Sequence, residues 1–151
     1  ILDIDVHHGN GTEAIFYDRA DVLTVSIHAH PKRFYPFFWG YEHETGRGAG
    51  EGYNLNIPME RGTAIKDYCT SLETALRRVS DFKPDVLVLA AGLDIAVDDP
   101  FKGFAIATPE FATIGKMISQ IGLPMLVVQE GGYPSPSLGL NLASLLKGLG
   151  A

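Results

Sequence analysis

The stretch Ile1-Leu2-Asp3-Ile4-Asp5-Val6-His7-His8-Gly9-Asn10-Gly11 is an apolar run that ends in a carboxylate, an imidazole and a glycine-rich turn. Side chains two positions apart in a strand point to the same face of the sheet, so those of Asp5 and His7 lie together. Open α/β sheets bind their ligands in the crevice beyond the carboxyl ends of the strands. The stretch therefore predicts a buried strand whose end holds one metal ion between Asp5 and His7.

Apolar runs and helical periodicity alternate along the rest of the chain. Continuously apolar runs are typical of parallel strands covered on both faces, and here they predict strands at residues 1–6, 22–27, 86–91 and 125–128. Helices are predicted at residues 11–17, 64–82, 109–121 and 138–149. Thr63 and Thr108 are the predicted N-caps of the second and third of these helices. The alternation predicts an α/β fold, a three-layer, mostly parallel sheet flanked by helices, in a single domain over residues 1–151.

The composition indicates a globular protein and argues against a membrane-spanning or nucleic-acid-binding one. Hydrophobic residues make up 46% of the 151 and charged residues 20%, as in an ordinary globular protein, and no apolar run is long enough to span a membrane. The net charge of −6 argues against a nucleic-acid partner and is compatible with a cationic substrate. A single cysteine, Cys69, excludes an internal disulfide and is predicted to be a core thiol. We expect a cytoplasmic protein.

Polar residues follow two further predicted strands. Asp94 closes the segment Ala90-Ala91-Gly92-Leu93-Asp94, and the segment Glu130-Gly131-Gly132-Tyr133 follows the last strand. Because the carboxyl ends of parallel strands converge, Asp94 is expected to meet Asp5 and His7. Two carboxylates and one imidazole suit Zn²⁺, and also Fe²⁺ or Co²⁺, with positions left open for water and substrate. The alternative is that the aspartates are turn or cap residues.

The glycine pair before Tyr133 permits a tight turn that projects the tyrosine hydroxyl into the cleft. A phenolic O–H is a suitable donor to an oxygen that develops negative charge. Packing of the ring on the turn is the other interpretation. His8 points away from His7 and is interpreted as supporting or structural, whereas His28 ends a strand and could reach the site. The long aperiodic segment at residues 28–52 is of the kind that usually carries function.

The motifs together resemble one family. The chain contains, in order, Asp-Val-His-His-Gly-Asn-Gly-Thr (5–12), Ala-Gly-Leu-Asp (91–94), Asp-Asp-Pro (98–100) and Glu-Gly-Gly-Tyr (130–133). This combination resembles the zinc-dependent histone deacetylase superfamily. The segments at residues 35–41 and 44–50 are most similar to its acetylpolyamine amidohydrolase branch. The resemblance implies the arginase/deacetylase-like fold, of which this chain would be the C-terminal half.

The resemblance also implies roles for individual residues. Asp5, His7 and Asp94 would bind zinc, and Tyr133 would polarise the substrate carbonyl. A potassium ion would lie at Asp3, Ser26 and the carbonyl of Ile27, and a second at carbonyls around Phe16, Arg19, Val22 and Tyr53. The substrate tunnel would be lined by Tyr35, Phe101, Gly131 and Gly132. The implied reaction is hydrolysis of a small acetylated amine, a polyamine or an acetyl-lysine-like compound, by a homodimer.

One feature departs from the family. Its general base and acid are a tandem histidine pair in the N-terminal half, which lies outside these 151 residues. His7-His8 is no substitute, because His7 is needed on the metal and His8 faces away. Loss of proton transfer costs about 10² to 10⁴ in rate, so we expect the chain alone to bind metal but to deacetylate poorly.

Two alternatives compete with this interpretation. An arginase-like binuclear manganese site would need further aspartates where this chain has Gly9 and Ala96, so a mononuclear site is favoured. The second alternative is a non-catalytic half-domain. The chain begins at Ile1, inside a predicted strand, so either upstream sequence has been removed or the open sheet edge is covered by self-association.

Overall fold

A computed structural model describes residues 1–150 and contains one parallel five-stranded sheet. The strands are β1 (Leu2–Asp3), β2 (Thr24–Ala29), β3 (Asn54–Met59), β4 (Leu87–Ala91) and β5 (Met125–Gln129). The helices are α1 (Asn10–Phe16), α2 (Ile65–Phe82), α3 (Thr108–Ser119) and α4 (Leu138–Leu149). Single 3₁₀ turns lie at Pro31–Arg33 and Gly48–Gly50, within the long aperiodic segment. The predicted fold class, a parallel sheet flanked by helices, is confirmed.

The strand order is β3-β2-β1-β4-β5, so the chain moves to one side of β1 and later returns to the other. Leu2 pairs with Val25 of β2 and with Leu89 of β4, which places β1 between them. The order therefore reverses between β1 and β4. A reversal of this kind opens a crevice beyond the carboxyl ends of the two strands, and α/β sheets place their ligands there.

The first strand is shorter than the predicted residues 1–6 because side chains capture its backbone donors. Ile4 still donates its N–H to the carbonyl of Ala90, at 3.1 Å. The N–H groups of Asp5 and Val6 donate instead to the carboxylates of Asp3 and Asp94, at 2.9 and 2.8 Å. The backbone hydrogen bonds from β1 to β4 stop at the residues whose N–H groups donate to these carboxylates. The same two carboxylates therefore end the strand and line the crevice.

The strand β3 was not predicted. Its inward-facing residues Asn54 and Asn56 are polar, so the segment shows no apolar run. Both amides donate to the carboxylate of Glu13, each at 2.8 Å, which satisfies them inside the protein. Pro58 is accommodated because β3 is an edge strand.

The two predicted N-caps are wrong by one residue. The caps are Ala64 and Ala107, and neither makes a side-chain cap hydrogen bond to a helix N–H. Thr63 donates its hydroxyl to the carbonyl of Glu60 instead, and Thr108 donates to a side chain on α4. At the start of α3, the carboxylate of Glu110 accepts the N–H of Ala107 at 2.6 Å, which fixes the first turn from inside the helix.

The core lies between the sheet and its helices. Leu72, Ala75 and Val79 form the buried face of α2, which packs on β2 and β3. The helices α3 and α4 pack on each other. Cys69 is half-buried on α2 and is not the core thiol that was expected. Among residues 1–150, none of the helices is both long and apolar enough to cross a membrane.

Candidate metal centre

Three predicted ligands meet at the crevice between β1 and β4. Asp5 and His7 follow β1, Asp94 follows β4, and each offers a ligand atom within 4.8 Å of the other two. The Nδ1 atom of His7 lies 3.0 Å from Oδ1 of Asp5 and 3.1 Å from Oδ2 of Asp94. The structure thus joins residues that are almost ninety positions apart, as the sequence predicted.

Backbone donors orient the two carboxylates. Asp94 is fully buried, and its Oδ1 accepts the N–H of Val6 while its Oδ2 faces His7. Oδ1 of Asp5 accepts the N–H of His7 at 2.7 Å. These hydrogen bonds leave little rotational freedom, so the ligand atoms are arranged before any ion binds.

The centre is strongly acidic and favours positive charge. Burial raises the pKa of the Asp5 carboxyl, and the charge of Asp94 adds to the effect. Burial alone lowers the pKa of His7, but hydrogen bonds and charges from Asp5 and Asp94 outweigh it and raise that pKa to about 9. Burial and the same two carboxylates raise the pKa of Glu130 to about 7. A cation placed between these groups would relieve their repulsion.

Two glycines leave room for such a cation. A Cβ atom at Gly131 would collide with Oδ2 of Asp5 and lie 2.8 Å from Oδ2 of Asp94. A Cβ at Gly92 would likewise meet the side chain of Asp5. The space therefore exists because both positions lack a side chain. Two carboxylate oxygens and one imidazole nitrogen around it fit Zn²⁺, Fe²⁺ or Co²⁺.

Aromatic rings surround the imidazole of His7. The ring centroids of Phe34, Phe101, Tyr35 and Tyr133 lie 5.0, 5.3, 6.1 and 6.4 Å from its own. Tyr35 and Phe101 were predicted as tunnel residues, and the structure places both beside the centre. Phe34 was missed, because nothing in the aperiodic segment distinguishes it from its aromatic neighbours.

Tyr133 stands at the mouth of the crevice with 39% of its surface exposed. Burial, together with the nearby carboxylates of Asp94 and Asp5, raises its pKa, so the hydroxyl stays protonated at neutral pH. Two glycines precede Tyr133. Gly131 is in close contact with the carboxylates of Asp5 and Asp94, and a Cβ atom at Gly132 would collide with the side chain of Leu138. Gly132 also adopts φ +124°, a conformation that favours glycine.

Two of the remaining histidines, His8 and His28, are buried beside each other and apart from the metal centre. Nε2 of His8 lies 3.0 Å from Glu13 and 3.1 Å from Asn56, on the side away from the metal centre, as predicted. His28 lies near the end of β2 as a buried residue, and its ring nitrogens face partners other than the metal ligands, so the prediction that it could reach the centre is wrong. Its Nδ1 is 2.8 Å from Oγ of Ser26, and its Nε2 is 2.8 Å from the carbonyl of Gly40.

The predicted monovalent-cation residues are neighbours in the sheet. Asp3 pairs with Ser26 across β1 and β2, and Ile27 follows in β2. Asp3 is buried, and its Oδ1 accepts the N–H of Asp5. Burial, with charge from Glu130, raises the pKa of the Asp3 carboxyl well above its ordinary value. The binding of potassium there stays a prediction.

Comparison with known proteins places this geometry in a family. The sequence model of the histone deacetylase domain matches residues 1–149. The chain belongs to the histone deacetylase family. The acetylpolyamine amidohydrolase of Mycoplana ramosa is 45% identical over 149 residues, which are 99% of this chain and 44% of that protein. Acetylpolyamine amidohydrolase 2 of Pseudomonas aeruginosa is 43% identical over 98% of this chain and 43% of its own length.

Solved structures of family members have the same fold. The acetylpolyamine aminohydrolase of Burkholderia pseudomallei superposes with a TM-score of 0.96 at 45% identity, over 99% of this chain and 44% of that one. A histone deacetylase homologue of Aquifex aeolicus gives 0.90 at 31% identity, over 96% and 39%. The chain therefore spans less than half the length of these relatives.

Proposed function

We propose that this chain forms the metal-binding part of a zinc-dependent deacetylase that hydrolyses small acetylated amines, either polyamines or acetyl-lysine-like compounds. The observation that carries the proposal is the meeting of Asp5, His7 and Asp94, with ligand atoms within 4.8 Å, beside the hydroxyl-bearing Tyr133. Similarity to acetylpolyamine amidohydrolases supports the choice of reaction and of substrate class.

The position of each residue in the site suggests its role in the reaction. Asp5, His7 and Asp94 would hold Zn²⁺, with Fe²⁺ or Co²⁺ as possible substitutes, and such an ion polarises a carbonyl and lowers the pKa of water. The protonated hydroxyl of Tyr133 donates a hydrogen bond to the acetyl oxygen as negative charge develops on it. Tyr35 and Phe101 enclose the aliphatic part of the amine.

A potassium ion at Asp3, Ser26 and the carbonyl of Ile27 would reinforce this arrangement. The carboxylate of Asp3 accepts the N–H of Asp5, so charge balanced at Asp3 steadies the backbone that carries a zinc ligand. Burial raises the pKa of the Asp3 carboxyl, and a positive charge beside it would keep the carboxylate ionised.

The test joins this chain to the N-terminal part of the Mycoplana ramosa relative. We expect the zinc-loaded chain alone to turn over acetylputrescine slowly and the chimera to do so readily. In the chimera, Tyr133→Phe should lower kcat by about 10² to 10³ through loss of one donor to the oxyanion. Asp94→Asn should remove zinc and activity together, whereas Asp85→Asn, before the other end of β4, should change neither.

Two results would contradict the proposal. One is a folded chimera that binds zinc but hydrolyses neither acetylputrescine nor a fluorogenic acetyl-lysine. The other is full turnover that survives Asp94→Asn, because the metal would then not depend on this ligand. Turnover by the chimera confined to acetyl-lysine would keep the reaction and would select the acetyl-lysine-like compounds over the polyamines as substrates.

A second candidate function is a non-catalytic half-domain that self-associates. The observation in its favour is the edge strand β5, where Leu126 and Val128 are 57% and 44% exposed. Apolar side chains on an open edge favour pairing with another chain. Under this proposal the purified chain elutes as a dimer, Leu126→Lys makes it monomeric, and no zinc-dependent turnover appears in the chimera.

A further inference from the structure

Asp99 is a buried carboxylate that lies five residues beyond Asp94 and is not among the ligands of the metal centre. It is 2% exposed, and within residues 1–150 it makes no ion pair. A buried carboxylate without a cationic partner costs free energy unless hydrogen bonds to it are strong. The partners of Asp99 therefore indicate why it is there.

Both oxygens of Asp99 accept backbone N–H groups. Oδ1 accepts the N–H of Phe101 at 2.9 Å, and Oδ2 accepts the N–H of Tyr133 at 3.2 Å. The two rings lie against each other, with centroids 4.4 Å apart at an angle of 66°. One carboxylate thus fixes the backbone of two aromatic residues that stand beside His7 and come from loops after different strands.

We propose that Asp99 is the positioning residue for Tyr133: it holds the tyrosine backbone so that the hydroxyl faces the acetyl carbonyl. This inference rests on the proposed function. Two glycines, Gly131 and Gly132, precede the tyrosine and leave its segment free to move unless it is anchored. Displacement of a catalytic group by about 1 Å can cost about 10² in rate, so such an anchor has a functional consequence.

A purely local role explains only half of the geometry. An aspartate that accepts the N–H two residues later forms an ordinary turn, and the bond to Phe101 is of this kind. The bond to Tyr133 spans 34 residues and joins the loop after β4 to the loop after β5. Local turn formation does not require that second bond.

The chemistry requires a carboxylate. An asparagine side chain has one acceptor and one two-proton donor, so Asp99→Asn would set an N–H₂ group against one of the two backbone N–H groups. The adjacent Asp98 supplies a matched control. It accepts the hydroxyl of Ser137 at 2.6 Å, and Asp98→Asn can keep that bond while removing the same charge from the same loop.

The first measurement is backbone amide exchange by NMR in the chain without added metal. Asp99→Asn should speed exchange of the Tyr133 amide about tenfold, as expected for loss of one hydrogen bond, and leave the α3 amides unchanged. Faster exchange confined to the Phe101 amide would show only the local turn and would contradict the proposal. Asp98→Asn should leave both amides as they are. Unaltered exchange at both positions in Asp99→Asn would overturn the proposal.

The second measurement is the affinity of the zinc-loaded chain for acetohydroxamate, in a cycle with Tyr133→Phe. Each single change should weaken binding, Tyr133→Phe about tenfold and Asp99→Asn about threefold or more. If Asp99 acts through the hydroxyl, Asp99→Asn should have less than a twofold effect in the Tyr133→Phe background, since the group that it positions is gone. Asp98→Asn should stay within about twofold of the parent in both backgrounds.

The outcomes separate the two proposals. Equal effects of Asp99→Asn in both backgrounds would refute the positioning role and leave the deacetylase proposal intact. Failure of the zinc-loaded parent chain to bind acetohydroxamate, together with a folded, zinc-binding chimera that hydrolyses neither substrate, would refute the proposed function and this inference with it. Loss of the effect in the Tyr133→Phe background, together with faster amide exchange, would establish Asp99 as the residue that positions Tyr133.

Discussion

Asp94 uses its two oxygens in different ways. Oδ1 accepts the backbone N–H of Val6, and Oδ2 lies 3.1 Å from Nδ1 of His7. The first bond joins the segment after β4 to the segment after β1. The carboxylate that links these two segments therefore also presents a ligand atom. The residue is fully buried, and this double use explains how an ionisable group is tolerated there.

Gly131 has an equally direct role, because its lack of a side chain leaves space beside the carboxylates of Asp5 and Asp94. Gly131→Ala would place a methyl group against the carboxylate oxygens of Asp5 and Asp94. We expect zinc affinity to fall by about 10- to 100-fold, the usual cost of disturbing the surroundings of metal ligands. Competition with a chromogenic zinc chelator measures the change.

The matched control is Gly11→Ala, in α1, where an added Cβ meets no atom within 4 Å. This variant should bind zinc as the parent does. If Gly131→Ala retained the parent affinity within about twofold, the ion would have to lie away from the two carboxylates, and the assignment of the centre would be wrong.

Among the helices, α3 and α4 form an extensive contact with each other. The helices α3 and α4 approach closely because small residues lie between them. A Cβ atom at Gly115 would meet the backbone of Leu145 and Leu149, and one at Gly148 would meet Ala112. In this contact, the absence of side-chain volume permits backbone approach.

Two glycine-to-alanine substitutions should therefore change the free energy of unfolding in opposite directions. Gly115→Ala should lower the free energy of unfolding by about 1–3 kcal/mol, because overpacking outweighs better helix propensity. Gly139→Ala, in α4 with open space around it, should raise that free energy by up to about 1 kcal/mol. Urea unfolding followed by circular dichroism measures both, and a stabilised Gly115→Ala would show that α3 and α4 lie further apart.

The sequence predicted the elements whose pattern is local. Apolar runs revealed four strands, and the residues Asp5, His7 and Asp94 were predicted because each ends such a run. Strand β3 escaped because its buried asparagines are satisfied by Glu13, a contact made only in the folded chain. The same holds for the ring of Phe34 and for the bond from Tyr133 to Asp99, which depend on packing between distant loops.

The whole molecule concentrates negative charge at one point. The net charge of the chain is −6, and the crevice between β1 and β4 gathers the carboxylates of Asp3, Asp5, Asp94 and Glu130. Burial, together with repulsion from the neighbouring carboxylates, raises the pKa values of Asp3, Asp5 and Glu130. The fold therefore stores electrostatic repulsion at the switch point of the sheet. A bound divalent cation would offset this repulsion, so we expect metal binding to stabilise the folded chain.

Zinc should accordingly stabilise the entire chain against heat. A free Zn²⁺ concentration of 100 times Kd adds about 2.7 kcal/mol, which raises the Tm of a domain of this size by about 5–10 °C, and a chelator should reverse the rise. Mg²⁺ should have little effect, because it prefers an all-oxygen octahedron. Asp94→Asn should abolish the shift and Asp85→Asn should preserve it, as followed by calorimetry. A zinc-induced rise of the same size in Asp94→Asn would place the stabilising ion elsewhere on the protein.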